Sequence, residues 1–525
     1  MKAITLISAI IILSLSQNVF AQYKQEWVAR YNNQYNSRDG GNYLAVDKSG
    51  NVTVAGESGH RYLTVRYDPN GNQLWSAIYN QSYPIPFDNI NALVLDSYGN
   101  AYVTGESKGP TYFYMDYATI KYDLNGDQSW VDIFNSSNSD HDRAYAMVID
   151  KNNNIIVTGF SLTPCSNGNF LWNTIKYSSK GSQTWIAGYC AKNYLPLGGY
   201  APQPALAIDS SGNVIIAGSS EDTANITNGK YSIIKYNQDG QLLWVRNNYP
   251  AWSDYCEVAT DKSGNIFFVG LSLGGTILIK YSPKGDSLWS RDYSGLSLRE
   301  IAVDKANNIY LAGVTYPGGF TTIKTDSNGT QKWLKIDSIG NYLNSMTTDD
   351  SGNVYVTGST GIDINSDYYT AKYNTNGNKV WSAQYNGSSD SADVANDVVV
   401  DQIGNIYVTG ISRGTGSFDM ITIKYSIITN SNYNISEVID FNLHQNFPNP
   451  FNPSTNLEFG ISELGFVTLK VYNALGVEVA VLVNENKPAG NYSVQFDGAN
   501  YPSGIYYYKL ESGDFSEVKK MILLK

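Results

Sequence analysis

Four aspartates share a spacing that could place their carboxylates around one cation. Each lies eight residues before an aspartate that opens a repeated ten-residue stretch, and they are Asp39, Asp88, Asp142 and Asp393. If the strands that follow them surround a channel, the four carboxylates form an arc at its mouth. Carboxylate and backbone oxygens are ligands that suit Ca²⁺. The simpler interpretation is that the repeat itself supplies an aspartate there, as a cap that faces solvent.

Aromatic side chains in the longer connections offer a second kind of binding chemistry, stacking against sugar rings. Binding residues often lie on variable loops over a rigid scaffold. The candidates are Tyr112, Tyr114, Trp172, Trp252, Tyr255, Tyr368 and Tyr369. Several of them stand where a strand begins, and there they would pack inward instead.

Cysteine and histidine are scarce, with three of each in 525 residues. Cys165 and Cys190 belong to one repeat unit and are predicted to form a disulfide, which leaves Cys256 free. No Cys-x-x-Cys or His-rich spacing typical of zinc occurs, and three histidines argue against a Ser-His-Asp triad. No carboxylate pair or nucleophile differs from the repeat background. We therefore expect no catalytic residues and no cofactor, with Ca²⁺ as the one candidate.

The elements that position these residues come from an eightfold repeat, typified by DKSGNVTVAG. Its first residue is predicted to cap the turn between two strands by accepting backbone N–H bonds. The eight copies begin at Asp47, Asp96, Asp150, Asp209, Asp261, Asp304, Asp349 and Asp401. A basic residue, such as Arg66 or Lys121, ends the third strand of each unit and is expected to pair with this aspartate.

A second motif, typified by KYDLNGDQSW, alternates with the first and ends in tryptophan. Eight of the ten tryptophans occupy this position, where they are expected to pack between units: Trp27, Trp75, Trp130, Trp185, Trp244, Trp289, Trp333 and Trp381. Each unit therefore contains four short strands, and radial repetition of such units is typical of a β-propeller.

The two ends of the repeat region indicate how the ring closes. The last unit, ending at Lys424-Tyr425, lacks a fourth strand, and the strand of Trp27 has no third strand before it. We expect the N-terminal strand to complete the last blade, so that no edge is exposed. This gives an all-β, eight-bladed propeller over residues 22–429. Seven blades is the alternative, if the unit around Asp304 is not a blade.

These motifs resemble the bacterial SBBP-type propeller repeat, which has the same D-x-x-G-N-x-Y-V-T-G and K-Y-x-x-x-G-x-x-x-W elements. The resemblance covers about three quarters of the chain. It implies a propeller fold and little about chemistry, since such repeats occur in many secreted bacterial proteins.

The N-terminus and the charge indicate where the protein acts. Residues 1–21 read as a secretory signal peptide, with Lys2 before a short apolar run and Val19-Phe20-Ala21 at the cleavage site. No later segment approaches 18 consecutive apolar residues, so we expect no transmembrane segment in the mature chain. The net charge of −11 argues against a nucleic-acid partner.

The C-terminal segment differs in composition. A polar linker, residues 430–440, precedes residues 441–525, where alternating apolar positions between Gly, Pro and Asn turns predict a small Ig-like β-sandwich. The motifs FPNPFNPS and SGIY and the end KKMILLK resemble the type A C-terminal sorting domain of the type IX secretion system. The resemblance implies contact with that machinery and a secreted, extracellular or cell-surface protein. An ordinary Ig-like ligand-binding module is the alternative.

The sequence favours an exported, non-catalytic propeller that binds a glycan or a protein. The first-to-second and third-to-fourth strand turns are constant in length, whereas the other connections vary, so one face of the ring carries every variable loop. The alternatives are a carbohydrate-active hydrolase or lyase, because paired carboxylates can perform acid–base chemistry, and a structural adhesin.

Overall fold

The structure, a computed structural model, falls into two compact units, Met1–Ile428 and Thr429–Lys525. The predicted signal peptide and linker lie outside the described residues. Those are residues 23–33, 35, 37–79, 88–108, 114–136, 141–162, 170–191, 203–220, 230–251, 255–272, 274–315, 318–361, 365–387, 391–414, 416–428, 442–461, 465–487, 490–513 and 515–525. Within these segments, no helix is long and apolar enough to cross a membrane.

The described strands of the first unit form eight four-stranded antiparallel sheets, which we call blades and number in chain order. The first strands are β2 (Asp39–Val46), β6 (Asn89–Leu95), β10 (Asp142–Ile149), β14 (Ala205–Ile208), β18 (Cys256–Thr260), β22 (Leu296–Val303), β26 (Tyr342–Thr348) and β30 (Asp393–Val400). The second strands are β3 (Val52–Ser58), β7 (Ala101–Lys108), β11 (Ile155–Ser161), β15 (Val214–Ser220), β19 (Ile266–Ser272), β23 (Ile309–Thr315), β27 (Val354–Ser359) and β31 (Ile406–Arg413).

The outer half of each blade contains its third and fourth strands. The third strands are β4 (Tyr62–Tyr67), β8 (Met115–Tyr122), β12 (Phe170–Tyr177), β16 (Lys230–Tyr236), β20 (Gly275–Tyr281), β24 (Phe320–Thr325), β28 (Tyr368–Tyr373) and β32 (Phe418–Ile427). The fourth strands are β5 (Gln73–Tyr79), β9 (Gln128–Phe134), β13 (Gln183–Ala191), β17 (Leu242–Pro250), β21 (Ser287–Ser294), β25 (Gln331–Asp337), β29 (Lys379–Tyr385) and, for blade 8, β1 (Tyr23–Tyr31).

The blades form a ring. The first strand of each blade contacts the first strand of the next, and β30 of blade 8 contacts β2 of blade 1. The predicted closing pair is present, because β1 pairs antiparallel with β32, with Gln25 opposite Tyr425 and Trp27 opposite Lys424. The N-terminal strand therefore completes the last blade and covers its edge.

Burial along the strands follows from face-to-face packing of the blades. The middle strands are buried on both faces: in blade 1, β4 is buried throughout and β3 at all but one residue. The outer strand β5 alternates between exposed and half-buried residues. Continuous Val, Ile, Thr and Tyr runs suit the middle strands, and an alternating pattern suits the outer one.

The turn between the first and second strands needs one residue with a left-handed backbone. In blade 1 that residue is Gly50, at φ 81°. In two units asparagine replaces the glycine, and Asn153 (φ 60°) and Asn307 (φ 62°) take the same conformation. Asparagine tolerates this region better than other residues with a side chain. The turn therefore keeps the same backbone conformation in the two units that have asparagine in place of glycine.

The second unit contains seven described strands in two sheets, as the sequence predicts. One sheet has the order β33-β34-β37 and the other β36-β35-β38-β39. The strands are β33 (Asn442–Leu443), β34 (Ser454–Ile461), β35 (Gly465–Asn473), β36 (Glu478–Lys487), β37 (Gly490–Asp497), β38 (Gly504–Ser512) and β39 (Phe515–Leu523). Leu457, Phe459, Leu469 and Tyr508 belong to the buried apolar core of this unit.

Candidate functional site: the central cavity

The repeat aspartates cap their turns, as predicted. Asp47 Oδ1 accepts hydrogen bonds from the backbone N–H groups of Ser49 (2.8 Å) and Asn51 (2.9 Å), and Oδ2 accepts one from the Asn51 amide (2.8 Å). The same three bonds recur at Asp96, Asp150, Asp209, Asp261, Asp304, Asp349 and Asp401. These carboxylates are structural acceptors.

The basic residue of the third strand pairs with the aspartate of its own blade in blades 1 to 4. The pairs are Arg66–Asp47, Lys121–Asp96 (3.7 Å), Lys176–Asp150 (3.0 Å) and Lys235–Asp209 (2.9 Å). In blades 6 to 8 a tyrosine hydroxyl donates to the aspartate instead, and the lysine ammonium lies over that tyrosine ring. These tyrosines are Tyr310, Tyr355 and Tyr407.

The repeat tryptophans join neighbouring blades. In seven of the eight, Nε1 donates to a backbone carbonyl in the turn between the third and fourth strands of the next blade, and the indole ring lies against the glycine two residues after that carbonyl. The bonds run from Trp27 to Pro69 (3.0 Å), Trp75 to Leu124 (3.0 Å), Trp130 to Ser179 (3.4 Å), Trp185 to Gln238 (2.9 Å), Trp244 to Pro283 (3.2 Å), Trp289 to Ser327 (3.3 Å) and Trp333 to Thr375 (3.0 Å). The prediction of packing between units is confirmed for these seven.

Trp381 is the exception, because the blade it faces is blade 8, which the N-terminal strand β1 completes. Blade 8 has no continuous turn between β32 and β1. Trp381 instead packs against the rings of Tyr23 and Tyr425, with centroids 5.1 and 5.0 Å away. Lys372 Nζ correspondingly bonds the Tyr23 hydroxyl (2.8 Å) where other blades offer a carbonyl. In blade 8, Tyr23 and Tyr425 thus make the contacts that the turn between the third and fourth strands makes in the other blades.

The four aspartates of the predicted arc lie inside the protein. Asp39, Asp88, Asp142 and Asp393 are all buried. Asp142 accepts from the backbone and hydroxyl of Ser136, both at 2.8 Å. Asp39 likewise accepts from the Asn33 backbone (2.8 Å), and Asp393 from the backbone N–H of Gly387. These aspartates hold the connection that leads into the first strand.

Asp88 uses a related geometry within its own blade. Its Oδ1 accepts from the Ser107 hydroxyl (2.8 Å) and the Lys108 backbone (3.0 Å). Across the described residues, no three His, Cys, Asp or Glu side chains lie close enough together to hold a metal ion. The cation site proposed for these four aspartates stays a prediction.

Three of the five predicted stacking aromatics that the structure describes are buried. Trp172, Tyr368 and Tyr369 are each 1% exposed and pack in the blade cores. They begin third strands, where both faces of the sheet are covered. Tyr114 is half-buried against the His141 ring (5.8 Å). Tyr255 is 37% exposed, whereas Tyr112 and Trp252 lie outside the described residues.

The cysteines agree with the sequence where they are described. Cys190 is disulfide-bonded, and Cys256 is buried and not part of a disulfide. Cys165, the predicted partner of Cys190, lies outside the described residues. Cys256 lines the central cavity, on the strand that also carries Glu257.

A β-bulge in the first strand turns a pair of side chains toward the centre of the ring. In β2, β6, β10, β22, β26 and β30 the pairing with the second strand skips the residue five before the repeat aspartate. The extra residue of a bulge is left unpaired and re-aims the strand. Here the position five before the aspartate and the next position supply most of the cavity lining.

Asparagine at the bulge links one blade to the next. Asn91, Asn344 and Asn396 donate side-chain N–H bonds to the carbonyls of Ala144 (2.7 Å), Ala395 (2.8 Å) and Gly41 (2.8 Å), respectively. Each acceptor belongs to the first strand of the following blade. These bonds link neighbouring first strands, and the three asparagines line the cavity.

The cavity measures about 660 Å³, and all eight blades contribute to its wall. The residues four positions before the repeat aspartates form a ring around the cavity. The side chains on one side of this ring differ in chemistry from those on the other. Blades 2 to 4 supply alanine and blades 5, 6 and 8 supply carboxyl groups. In blade order the residues are Tyr43, Ala92, Ala146, Ala205, Glu257, Glu300, Ser345 and Asp397.

The three carboxyl groups sit in an environment that disfavours their charge. Burial raises the pKa of Glu257 to about 7. Burial, with the charges of Glu257 and Asp397, raises the pKa of Glu300 to about 8. Burial raises the pKa of Asp397 to about 6, against hydrogen bonds from Leu44 (2.8 Å), Ser345 (2.7 Å) and its own neighbour Val398.

These three carboxyl residues were not identified from the sequence. The signal was nevertheless present, because the position four before the repeat aspartate varies from Tyr through Ala and Ser to Glu and Asp. Variation at one position of a regular repeat marks a site that the fold does not constrain. Such a position can carry function when it faces a cavity.

Comparison with known proteins identifies the second unit. Residues 445–524 match the family described as secretion system C-terminal sorting domain. No curated protein matches the chain. The SBBP-type resemblance of the repeats stays a prediction.

Solved structures similar to the chain are distant. The Dos1 propeller shows 11% identity and a TM-score of 0.48, covering 77% of this chain and 94% of that one. A protein of unknown function from Bacteroides caccae shows 10% and 0.32, covering 55% and 94%. PorZ, a surface component of the type IX secretion system of Porphyromonas gingivalis, shows 9% and 0.23, covering 92% and 93%. None of these similarities carries a functional argument. The family match therefore concerns residues 445–524, which resemble a secretion system C-terminal sorting domain, and this match indicates a protein that is secreted or located at the cell surface.

Proposed function

We propose that this secreted propeller is a non-catalytic binding module that holds a polar ligand, a glycan or a protein segment, in its central cavity. The observation that carries the proposal is the cavity of about 660 Å³ whose wall all eight blades supply. Ligand pockets typically have volumes of about 300–1,000 Å³.

The chemistry of the wall supports a polar ligand. Asn42, Asn91, Asn344 and Asn396 present amides, and Tyr43 adds a hydroxyl and a ring. Amide and hydroxyl groups can both donate and accept hydrogen bonds. Such a wall suits a ligand with many hydroxyl or amide groups.

We place the proposed site in the cavity rather than on the loop face. Of the aromatic residues that the sequence nominated, Tyr255 lines this cavity, and the Arg299 guanidinium lies 4.8 Å from its ring centre. Trp172, Tyr368 and Tyr369 are buried in the blades and are not part of the proposal. Tyr255 therefore keeps its proposed role as a stacking surface.

A carbohydrate-active hydrolase or lyase is the second candidate, and one observation favours it. Glu300 has a pKa of about 8 and Glu257 a pKa of about 7. A carboxyl group that stays protonated near neutral pH is suited to act as a general acid. Turnover of a bound glycan, lost in Glu300→Gln, would establish this function in place of binding alone.

Filling the cavity tests the proposal directly. Ala146→Trp places an indole into the cavity wall of blade 3, and we expect at least tenfold weaker binding of any ligand found on a glycan or peptide array. Ile186→Trp is the matched control, because Ile186 lies in the same blade but is 48% exposed on its outer strand. Binding measured by calorimetry should survive in the control.

The array experiment also distinguishes the remaining alternative. Binding that is equal in Ala146→Trp and the unchanged protein contradicts the cavity site. Failure of all glycans and peptides to bind would favour a structural adhesin. The proposal uses no metal, so EDTA should leave binding unchanged.

A further inference from the structure

The cavity wall is electrostatically one-sided. Its carboxyl groups come from blades 5, 6 and 8, through Glu257, Glu300 and Asp397. On the other side, Ala92, Ala146 and Ala205 of blades 2 to 4 present methyl groups. A ligand that fits this wall is charged on one side and apolar on the other.

Among the three carboxyl groups of the wall, Glu300 is the one that lacks hydrogen-bond donors from the described residues. Its carboxyl lies within the ring and faces the cavity, and no described residue donates a hydrogen bond to it. Asp397, by contrast, accepts from Leu44 and Ser345. Glu300 is half-buried, and a half-buried carboxyl group without donors from the protein is disfavoured as an anion unless a donor in the cavity reaches it.

We propose that the ligand of the cavity is a glycan with a free amino group, whose ammonium binds Glu300 on the side of the wall that also carries Glu257 and Asp397. This inference rests on the proposed function and specifies the ligand of that same site. The ammonium supplies the donors that Glu300 lacks, and the sugar hydroxyls face the asparagine amides of the bulges.

A metal ion fits this wall less well than an ammonium does. The carboxyl groups come from separate blades, and the described residues contain no group of three metal-ligating side chains at metal distance. A protonated amine donates up to three hydrogen bonds and can bind a single carboxyl group, with hydroxyl or amide oxygens as its other acceptors. The net charge of −11 also raises the local concentration of cations.

The rest of the wall favours a sugar over a lysine side chain. A lysine offers an apolar stem, whereas the wall also presents Asn42, Asn91 and Asn396 amides at the bulge level. Tyr43 and Tyr255 supply ring faces and hydroxyls. Sugar rings have both a hydroxylated edge and an apolar face, which such a wall can satisfy together.

Protonation of the site makes binding depend on pH. The groups that face Glu300 are Glu257, Asp397 and the Arg299 guanidinium, and the wall also contains Arg38, Tyr43, Tyr255 and Cys256. Because the pKa values of Glu257 and Glu300 are raised to about 7 and about 8, both carboxyl groups are partly or mostly protonated at pH 6.5 when the cavity is empty. An ammonium favours the ionised carboxylates, so binding must release protons.

The test uses two ligands that differ in charge alone. The mature protein is titrated with a glucosamine oligomer and with the same oligomer fully N-acetylated, at pH 6.5 and low salt. We expect the free-amine oligomer to bind at least tenfold more tightly. Calorimetry in buffers of different ionisation enthalpy should show release of about one proton or more on binding.

Variants then assign the charge preference to these residues. Glu300→Gln keeps the shape of the side chain, and we expect it to remove most of the preference for the amine. Glu257→Gln is a second, independent variant should the first fail to fold. Asp239→Asn is the matched control, because Asp239 is an exposed acid in an outer turn, and it should keep the preference.

The outcomes separate this inference from the proposed function. Equal binding of both oligomers, blocked by Ala146→Trp, would retain the cavity site and overturn the ammonium inference. Preferential binding of a lysine peptide over its acetyl-lysine form, lost in Glu300→Gln, would overturn the glycan assignment. Binding of neither oligomer and of no other glycan or peptide overturns both.

Discussion

At the residue scale, a few side chains explain why each repeat needs its glycine. The glycine in the turn between the third and fourth strands has a positive φ. The tryptophan ring of the preceding blade covers this glycine. Gly240 has φ 80°, and a Cβ placed there would lie 2.7 Å from the Trp185 ring. Gly212 has the same φ, 81°, but a Cβ there would lie no nearer than 3.8 Å to any other side chain. The cost of a side chain at positive φ and the cost of displacing the tryptophan ring can therefore be measured separately, by comparing Gly212 with Gly240.

Gly240→Ala should destabilise the protein more than Gly212→Ala. Both variants force alanine into the left-handed region, at about 1–2 kcal/mol. Gly240→Ala also displaces Trp185, and overpacking typically costs about 1–3 kcal/mol more. Urea unfolding, followed by tryptophan fluorescence, gives the two free energies of unfolding. Equal losses would show that the indole contact contributes nothing.

At the scale of elements, the closing strand β1 differs from the other fourth strands. It reaches blade 8 from the opposite end of the chain, and its partner β32 ends just before the second unit. Its tryptophan is nevertheless used as in the other blades, since Trp27 bonds the Pro69 carbonyl of blade 1 (3.0 Å). Closure therefore joins blade 8 to blade 1 as well as completing blade 8.

A mature chain that begins after Tyr31 should fold less stably than the complete one. Loss of β1 removes the hydrogen bonds to β32 and leaves an unpaired edge. We expect a lower urea midpoint and greater aggregation, measured by circular dichroism and light scattering. A synthetic peptide of residues 23–31 should restore the midpoint, and the same peptide with Trp27→Ala should restore it less. An unchanged midpoint in the truncated chain would contradict this role of β1.

At the scale of the whole molecule, the proposed binding site and the sorting-domain match lie in separate units. The cavity residues all belong to the first unit, and the sorting-domain match lies within the second. Each unit has its own buried apolar core. The two functions should therefore be separable by deletion.

A chain that stops at residue 428 should fold but remain inside the outer membrane. The deletion removes the sorting domain, whereas the described strands of the propeller are complete by Ile427. Fractionation and immunoblotting should find the truncated protein in the periplasm, with ligand binding retained after purification. The full-length chain is the control. Surface or medium localisation of the truncated protein would contradict export through this domain.

The sequence by itself determined the repeat unit, its capped turns, the tryptophan contacts between units and the sorting domain. Those features depend on residues within a few positions of one another, such as Asp47 with Asn51, so short spacing encodes them. Only the tertiary structure decided which side chains are accessible. It buried Asp142 and Trp172 and brought Glu257, Glu300 and Asp397 from three blades to one cavity wall. Burial and orientation depend on contacts between strands far apart in the chain, and no local pattern encodes those contacts.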